Sequence, residues 1–100
     1  MIKFKRVSEN YILKLEDKEG NLHIHIDVFK YNKQMQKDLM EVFAILCIVL
    51  KGEGYKEIYF TQEVEDKKLL KFASMFGVWH YHYTLTLTNG NEYNLLSYTL

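Results

Sequence analysis

Proline, a disulfide framework and a long apolar run are all missing from this sequence of 100 residues. Its one cysteine, Cys47, can form neither a disulfide within the chain nor a cluster of thiolate ligands for zinc. Cys47 lies in the longest apolar run, residues 42–50, and we interpret it as a small core residue of a protein from a reducing compartment. The run is far shorter than the roughly 20 residues of a membrane-spanning helix, and the N-terminus has no signal peptide pattern. We therefore expect a cytoplasmic protein with no membrane partner.

An excess of charge of either sign is missing too, because 13 basic residues balance 13 acidic ones. Nucleic-acid binding normally needs a basic face, so we expect no nucleic-acid partner. Apolar residues make up 48% of the chain and charged residues 26%, which is typical of a soluble globular protein. The length suits one compact core, and we predict a single domain over residues 1–100.

Hydrophobic periodicity predicts the element order β-β-β-α-β-α-β-β, an α+β fold with a mixed, mostly antiparallel sheet. Alternation indicates strands within residues 2–16 and 22–28. The segment that follows, residues 32–54, predicts a long helix with Asn32 as its N-cap. The second half of this helix is apolar nearly all round, which predicts that it is buried on more than one side. A buried strand over residues 56–62 follows, which predicts one parallel strand pair.

The last third of the chain combines a short helix with an aromatic strand. The segment DKKLLKFASMFGVW, residues 66–79, predicts an amphipathic helix that ends at Gly77. Its predicted inward residues are Leu69, Leu70, Phe72, Ala73 and Phe76, and its predicted outward residues are Lys67, Lys68 and Lys71. In the next stretch, alternation predicts one strand face that carries Trp79, Tyr81, Tyr83, Leu85 and Leu87. Asn89-Gly90 predicts a hairpin into the final strand.

This order, with a helix that ends FGVW after a buried strand and a closing hairpin, resembles the GCN5-related N-acetyltransferase (GNAT) fold without its first helices. The resemblance covers residues 22–100. It extends to small acetyltransferase-like proteins of tailed phages, including internal virion proteins of podoviruses, where a segment similar to residues 67–100 follows a strand like EIYF. The resembled fold divides its helices between the two sheet faces, so a truncated version is expected to leave one face poorly covered.

The resemblance also implies positions for catalytic residues, and two of them differ here. Active members hold the pyrophosphate of acetyl-coenzyme A (acetyl-CoA) on a glycine-rich loop before the long helix. Here that loop is KYNKQMQK, which has no glycine but offers Lys30, Lys33 and Lys37. The family's donor-contacting asparagine corresponds to Asp66, and its proton-donating tyrosine corresponds to Ala73. The resemblance therefore implies a retained fold without catalysis, with no catalytic residue and no cofactor.

Histidines and carboxylates offer weaker alternatives. Two H-x-H pairs, residues 23–25 and 80–82, carry zinc-ligand side chains, but alternation alone places polar residues there and we predict no metal site. A histidine with Asp27 or Glu63 as its partner is an acid–base alternative. We interpret Glu63 and Glu65 as residues that interact with the positive end of the following helix.

Aromatic residues make up 15% of the chain and favour protein recognition. The predicted partner-binding residues are Trp79, Tyr81, Tyr83 and Tyr93. We predict a non-catalytic acetyltransferase-like phage protein that acts in the host cytoplasm. Its partner would be a virion component, an inhibited host defence protein or a second copy in a homodimer. The alternative is a minimal divergent acetyl-CoA-dependent N-acetyltransferase whose donor phosphates bind Lys30, Lys33 and Lys37.

Overall fold

Six strands form one sheet, and two helices pack on it, in the computed structural model, which describes residues 1–71 and 73–100. The predicted inward position of Phe72 lies outside the described residues. The predicted element order is confirmed. In chain order the elements are β1 (Ile2–Val7), β2 (Tyr11–Lys18), β3 (Asn21–Val28), α1 (Lys33–Gly52), β4 (Glu57–Glu63), α2 (Lys67–Ala73), a 3₁₀ turn (Ser74–Phe76), β5 (His80–Thr86) and β6 (Glu92–Thr99).

The strands lie side by side in the order β1-β2-β3-β4-β6-β5. The neighbours β3 and β4 are parallel, as α1 connects them across the sheet, and the other four pairings are antiparallel. The predicted parallel pair and the mostly antiparallel sheet are therefore confirmed. No helix in the described ranges is long and apolar enough to cross a membrane.

The two faces of the sheet differ in what covers them. The helix face carries the core under α1, with the buried strand residues Tyr11, Leu13, Leu15, Leu22, Ile24, Ile58, Phe60 and Leu96. The alternate strand residues form the open face, which includes His23, His25, Tyr59, Thr61, Leu95 and Ser97. Both helices lie on the helix face, since Ala73 of α2 is in the core and the ring of Phe76 is 4.8 Å from that of Phe43 in α1. Among the described residues the other face is therefore poorly covered, as expected for a truncated version, although both helices lie together here instead of on opposite faces.

Helix α1 buries one stripe and exposes the rest. Asn32 is confirmed as its N-cap, with its side-chain oxygen accepting the Met35 amide at 2.7 Å. The buried stripe repeats every three or four residues: Met35, Leu39, Phe43, Leu46 and Leu50. The prediction of burial on more than one side is wrong, because Ile45 and Ile48 are 62% and 74% exposed. Cys47 is also only partly buried. Nothing in the described residues packs on the outer side of α1 here.

A bulge in β5 reverses the alternation of its side chains. Tyr81 lies opposite Leu96, whereas Tyr83 lies opposite Leu95, so His82 is an extra residue in the strand. Tyr81 therefore points to the helix face and Tyr83 to the open face. The prediction that Trp79, Tyr81, Tyr83, Leu85 and Leu87 share one face is wrong beyond the bulge, because one inserted residue turns every later side chain to the opposite face.

Candidate functional site

A cleft opens where β3 and β4 move apart toward their C-terminal ends. The two strands pair only from Leu22 opposite Ile58 to Ile24 opposite Phe60. Beyond Ile24, β3 continues beside β2, and β4 continues beside β6. The resulting cleft has a volume of about 460 Å³. It is lined by Ile26, Asp27, Val28, Phe29, Tyr31, Thr61, Glu63, Asp66, Leu69 and Tyr93.

Carboxylates dominate the charge of this cleft. Asp27 comes from β3, Glu63 from the end of β4 and Asp66 from the start of α2, and no Lys or Arg lines the cleft within the described chain. The pKa of Tyr31 is raised by burial and, secondarily, by the negative charge of Asp66. The cleft therefore favours a cationic or neutral group over an anionic one.

The carboxylate of Asp66 also caps α2. Its Oδ1 atom accepts the amide of Leu69 at 3.0 Å, and its carbonyl accepts the amide of Leu70 at 3.2 Å. A capping carboxylate satisfies free amides at the helix start and interacts favourably with the helix dipole. The sequence interpretation gave this role to Glu63 and Glu65, but Glu63 lines the cleft and the capping side chain is that of Asp66.

The buried side-chain amide of Gln62 forms hydrogen bonds between the cleft and the β5 edge of the sheet. Gln62 is fully buried, and its Nε2 atom donates to the carbonyls of Glu63 and Asp66. Its Oε1 atom accepts from Asn94 at 3.0 Å, and Asn94 accepts from the Thr84 hydroxyl at 2.7 Å. The chain of hydrogen bonds links the start of α2 to β5. Sequence reasoning missed Gln62, whose signal was a polar residue at an inward position two residues after Phe60.

A second depression lies between α1 and α2 and is basic. It has a volume of about 360 Å³ and is lined by Tyr31, Gln36, Lys68, Lys71, Ser74 and Met75. The Lys68 ammonium lies 4.3 Å from the centre of the Tyr31 ring, a cation–π contact that holds it beside the cleft. The sequence interpretation treated Lys68 and Lys71 as outward solvated residues and missed this groove.

A row of rings crosses the middle of the open face. The His23 ring stacks on that of Tyr59 at 5.5 Å, and the Tyr59 ring lies 6.0 Å from that of His82. His82 Nε2 is 2.7 Å from the hydroxyl oxygen of the buried Ser97. Burial is the main cause that lowers the pKa of His23. Sequence reasoning missed the contact between His82 and Ser97, which the bulge makes possible.

The two H-x-H pairs do not meet on this face. They belong to β3 and β5, and both β4 and β6 lie between those strands. The acid–base alternative paired a histidine with Asp27 or Glu63, but His25 instead lies 3.4 Å from Glu16. No histidine of the described residues lines the cleft.

Comparison with known proteins bears on the fold. No family model matches the sequence, and no curated protein matches it. The structure is similar to the crystal structure of a probable acetyltransferase (GNAT family) from Chromobacterium violaceum, with a TM-score of 0.64 and 13% identity. The chain has a GNAT-like fold. The match covers 90% of this chain and 52% of the neighbour, so the chain spans about half the length of that protein.

The start of α1, where the GNAT resemblance implies donor phosphates, is capped by the chain's own Asn32. The side chain and carbonyl of Asn32 already accept the amides of Met35 and Gln36 in the first turn. The segment before and into α1, residues 30–37, has no glycine, unlike the resembled loop. Lys30, Lys33 and Lys37 are exposed and do not line the acidic cleft.

The position implied for the GNAT tyrosine is a buried methyl group. Ala73 is 3% exposed, and its carbonyl accepts the indole N–H of Trp79 at 2.9 Å. The Trp79 ring also packs on Phe60 and Tyr98, at 5.6 and 5.3 Å between ring centres. Ala73 has no proton to donate, and Trp79 connects α2 to the core.

The four predicted partner-binding residues do not form one surface. Trp79 is partly buried in the core, and Tyr81 lies on the helix face with its hydroxyl 2.7 Å from that of Thr84. Tyr83 and Tyr93 lie on the open face of neighbouring strands. Among the described residues, Tyr83 and Tyr93 therefore share a face that Trp79 and Tyr81 do not.

Proposed function

We propose that this GNAT-like chain binds another protein through the open face of its sheet and does not transfer acetyl groups. We propose that it is encoded by a phage and acts in the host cytoplasm as a single domain over residues 1–100. The partner would be a virion component or a host defence protein that the phage inhibits.

The open face carries this proposal, because aromatic and apolar side chains lie there and no helix of the described residues covers them. Tyr59, Tyr83, Tyr93 and Leu95 extend over three neighbouring strands, and exposed Leu85 continues them. Tyrosine offers a large contact area and a hydroxyl at a low cost in conformational entropy, which suits recognition surfaces. A surface of this kind favours a protein partner over a small ligand.

Two features, one in the cleft and one in the core, argue against acetyl transfer. Asp27, Glu63 and Asp66 would repel the phosphates of acetyl-CoA, and desolvating them beside an anion would cost further free energy. At the position of the family's proton donor, Ala73 offers only a methyl group. We therefore assign no catalytic residue to the chain.

The basic groove between the helices favours the second candidate, a minimal acetyl-CoA-dependent N-acetyltransferase. Lys68 and Lys71 line it, and the exposed Lys30, Lys33 and Lys37 lie on neighbouring segments. Lysines can hold phosphates as point charges without a glycine-rich loop. This candidate predicts that acetyl-CoA binds and that replacement of these lysines weakens the binding.

Single-residue variants on two different surfaces of the chain test whether a partner binds the open face. Tagged wild-type protein is incubated with extract of the source organism or, for a phage gene, of its host. Tyr59→Ala and Tyr93→Ala remove rings from the open face. Ile48→Ala removes an exposed apolar group from the outer side of α1, away from the open face, and is the control.

We expect one protein to co-purify in a fixed ratio with wild type and with Ile48→Ala. Each tyrosine variant should weaken its affinity by about tenfold or more, the usual effect of truncating a central aromatic residue. A partner that is retained equally by both tyrosine variants, or transfer of acetyl groups by the wild-type protein, would exclude the proposed function.

A further inference from the structure

The two edges of the sheet differ in their protection against pairing with another strand. At one edge, β1 carries Lys3, Lys5 and Arg6 and has an irregular register between Ile2 and Phe4. Charges and irregularities of this kind prevent edge-to-edge association. At the other edge, β5 carries no Lys, Arg, Asp or Glu, and its residues 83–86, beyond the bulge at His82, pair with β6 in regular register. Between Lys71 and Glu92 the sequence contains no Lys, Arg, Asp or Glu.

The free backbone groups of β5 can be assigned from the hairpin that follows it. The amide of Leu87 donates to the carbonyl of Asn91 at 2.8 Å, so Leu87 directs its amide toward β6. Consecutive strand residues direct their backbone groups to opposite edges, so Leu85 also pairs inward. Thr84 and Thr86 therefore present their amides and carbonyls at the free edge of the sheet.

We propose that a second copy of this chain pairs with that edge, antiparallel and about a two-fold axis at Leu85. In this register Thr84 exchanges two hydrogen bonds with Thr86 of the partner subunit. On the open face Leu85 would contact Leu85 of the partner subunit, and Tyr83 would contact the partner subunit's Leu87. On the helix face Thr84 of one chain would lie beside Thr86 of the partner subunit. The strand is therefore complementary to a second copy of itself.

Charge supports a second copy as the occupant of this edge. A strand that carries no Lys, Arg, Asp or Glu meets no like-charge repulsion when it pairs with itself. Leu85 and Leu87, 53% and 47% exposed, would both become covered. One pair of strands buries less than the roughly 1,200 Å² of a standard interface, so we expect a dimer with a dissociation constant of about 1–100 µM.

This inference does not depend on the proposed function. Two sheets joined edge to edge leave the middle of each open face accessible, so Tyr59 and Tyr93 remain free to contact another protein. The variants that test partner binding lie on β4 and β6, whereas the variants that test the dimer lie on β5. Failure of one proposal is therefore distinguishable from failure of the other.

The first test is sedimentation velocity of the purified protein over concentrations from about 1 to about 200 µM. We expect the mass to rise with concentration from the 12.0 kDa of one chain to twice that value. Thr86→Pro removes an outward amide without removing a bond to β6, and it should weaken the dimer by at least about tenfold. Circular dichroism checks that this variant remains folded.

The second test reports the register and does not depend on whether the proline variant folds. In a Cys47→Ala background, Leu85→Cys places two thiols opposite each other, within the distance that a disulfide spans. Leu87→Cys is the matched control, because the pairing places its two copies four residues apart along the strands, about 13 Å. We expect mild oxidation to cross-link Leu85→Cys and to leave Leu87→Cys uncross-linked.

Three results would overturn the proposal. The first is a monomer at the highest concentration, and the second is a dimer that folded Thr86→Pro does not weaken. The third is equal cross-linking of Leu85→Cys and Leu87→Cys. A dimer that involves another surface would give either of the last two results.

Discussion

The phenol of Tyr11 donates a 2.5 Å hydrogen bond to the carboxylate of Asp38, joining β2 to α1 beneath the first edge of the sheet. Arg6 of β1 donates to the same carboxylate at 3.0 Å, so one acidic group connects three elements. Tyr11 is almost fully buried, and burial is the first cause that raises the pKa of its phenol. The contact therefore holds the β1–β2 hairpin against the helix that carries the core.

Removal of the Tyr11 hydroxyl tests the energy of this contact. Tyr11→Phe leaves a carboxylate without its shortest hydrogen bond, which should lower the free energy of unfolding by about 1.5–3 kcal/mol. Urea denaturation at neutral pH measures the change. Tyr59→Phe is the control, because the Tyr59 hydroxyl donates to Glu57 on the open face and its loss should cost less than about 1 kcal/mol. Equal costs for the two variants would contradict the special role of Asp38.

The same carboxylate predicts a dependence of stability on pH. The hydrogen bond from Tyr11, followed by Arg6, lowers the pKa of Asp38 below its ordinary 3.8. A carboxyl group with a lowered folded pKa stabilises the fold above its unfolded pKa, and this contribution is lost as the pH falls through the folded pKa. Wild type should therefore exceed Asp38→Asn in unfolding free energy at pH 7, and the difference should shrink below about pH 4. Urea denaturation across this range measures it, and a constant difference would refute the assignment.

Gly77 should not tolerate a side chain. Its φ angle is +137°, and an added Cβ would lie 2.8 Å from Tyr98 Cε2. We expect Gly77→Ala to destabilise the protein by about 2 kcal/mol or more, from backbone strain together with the displaced ring. Gly52→Ala is the matched control, since Gly52 lies in α1 with open space around it, and its effect should be neutral or stabilising by up to about 1 kcal/mol. Thermal denaturation measures the stability of both variants. An equal loss of stability in the two would contradict this expectation.

Gln62→Leu tests the buried hydrogen-bond chain. The substitution keeps the volume similar but removes a donor from the carbonyls of Glu63 and Asp66 and an acceptor from Asn94. Unsatisfied buried groups should lower the unfolding free energy by about 1–3 kcal/mol. Neighbouring Thr61→Ala, on the exposed face of the same strand, should change it by less than about 0.5 kcal/mol. A Gln62→Leu protein as stable as wild type would show that the amide is dispensable.

Sequence periodicity was sufficient for the order of the elements, because each strand or helix has its own repeat of apolar residues. It could not reveal the bulge at His82, where a single extra residue changes which face later side chains occupy. It also placed both sides of the apolar half of α1 in the core. An apolar side chain such as that of Ile48 is more stable when buried, but it becomes buried only if another element packs against it.

The candidate site was less predictable than the fold for the same reason. Asp27 and Asp66 are distant in sequence and meet at the cleft because β3 and β4 diverge, which no local pattern encodes. Lys68 reaches Tyr31 through the packing of α2 beside α1. By contrast, the missing glycines before α1 and the alanine at residue 73 were legible in the sequence, because they are single residue identities.

Calorimetric titration of the purified chain with acetyl-CoA tests the central claim most directly, namely that this GNAT-like fold does not use the donor of its family. Because carboxylates line the cleft and Asn32 occupies the first turn of α1, we predict no measurable heat of binding up to about 1 mM ligand. A dissociation constant of about 1–10 µM would contradict the claim and support the enzyme candidate, particularly if Lys68→Ala and Lys71→Ala weakened it.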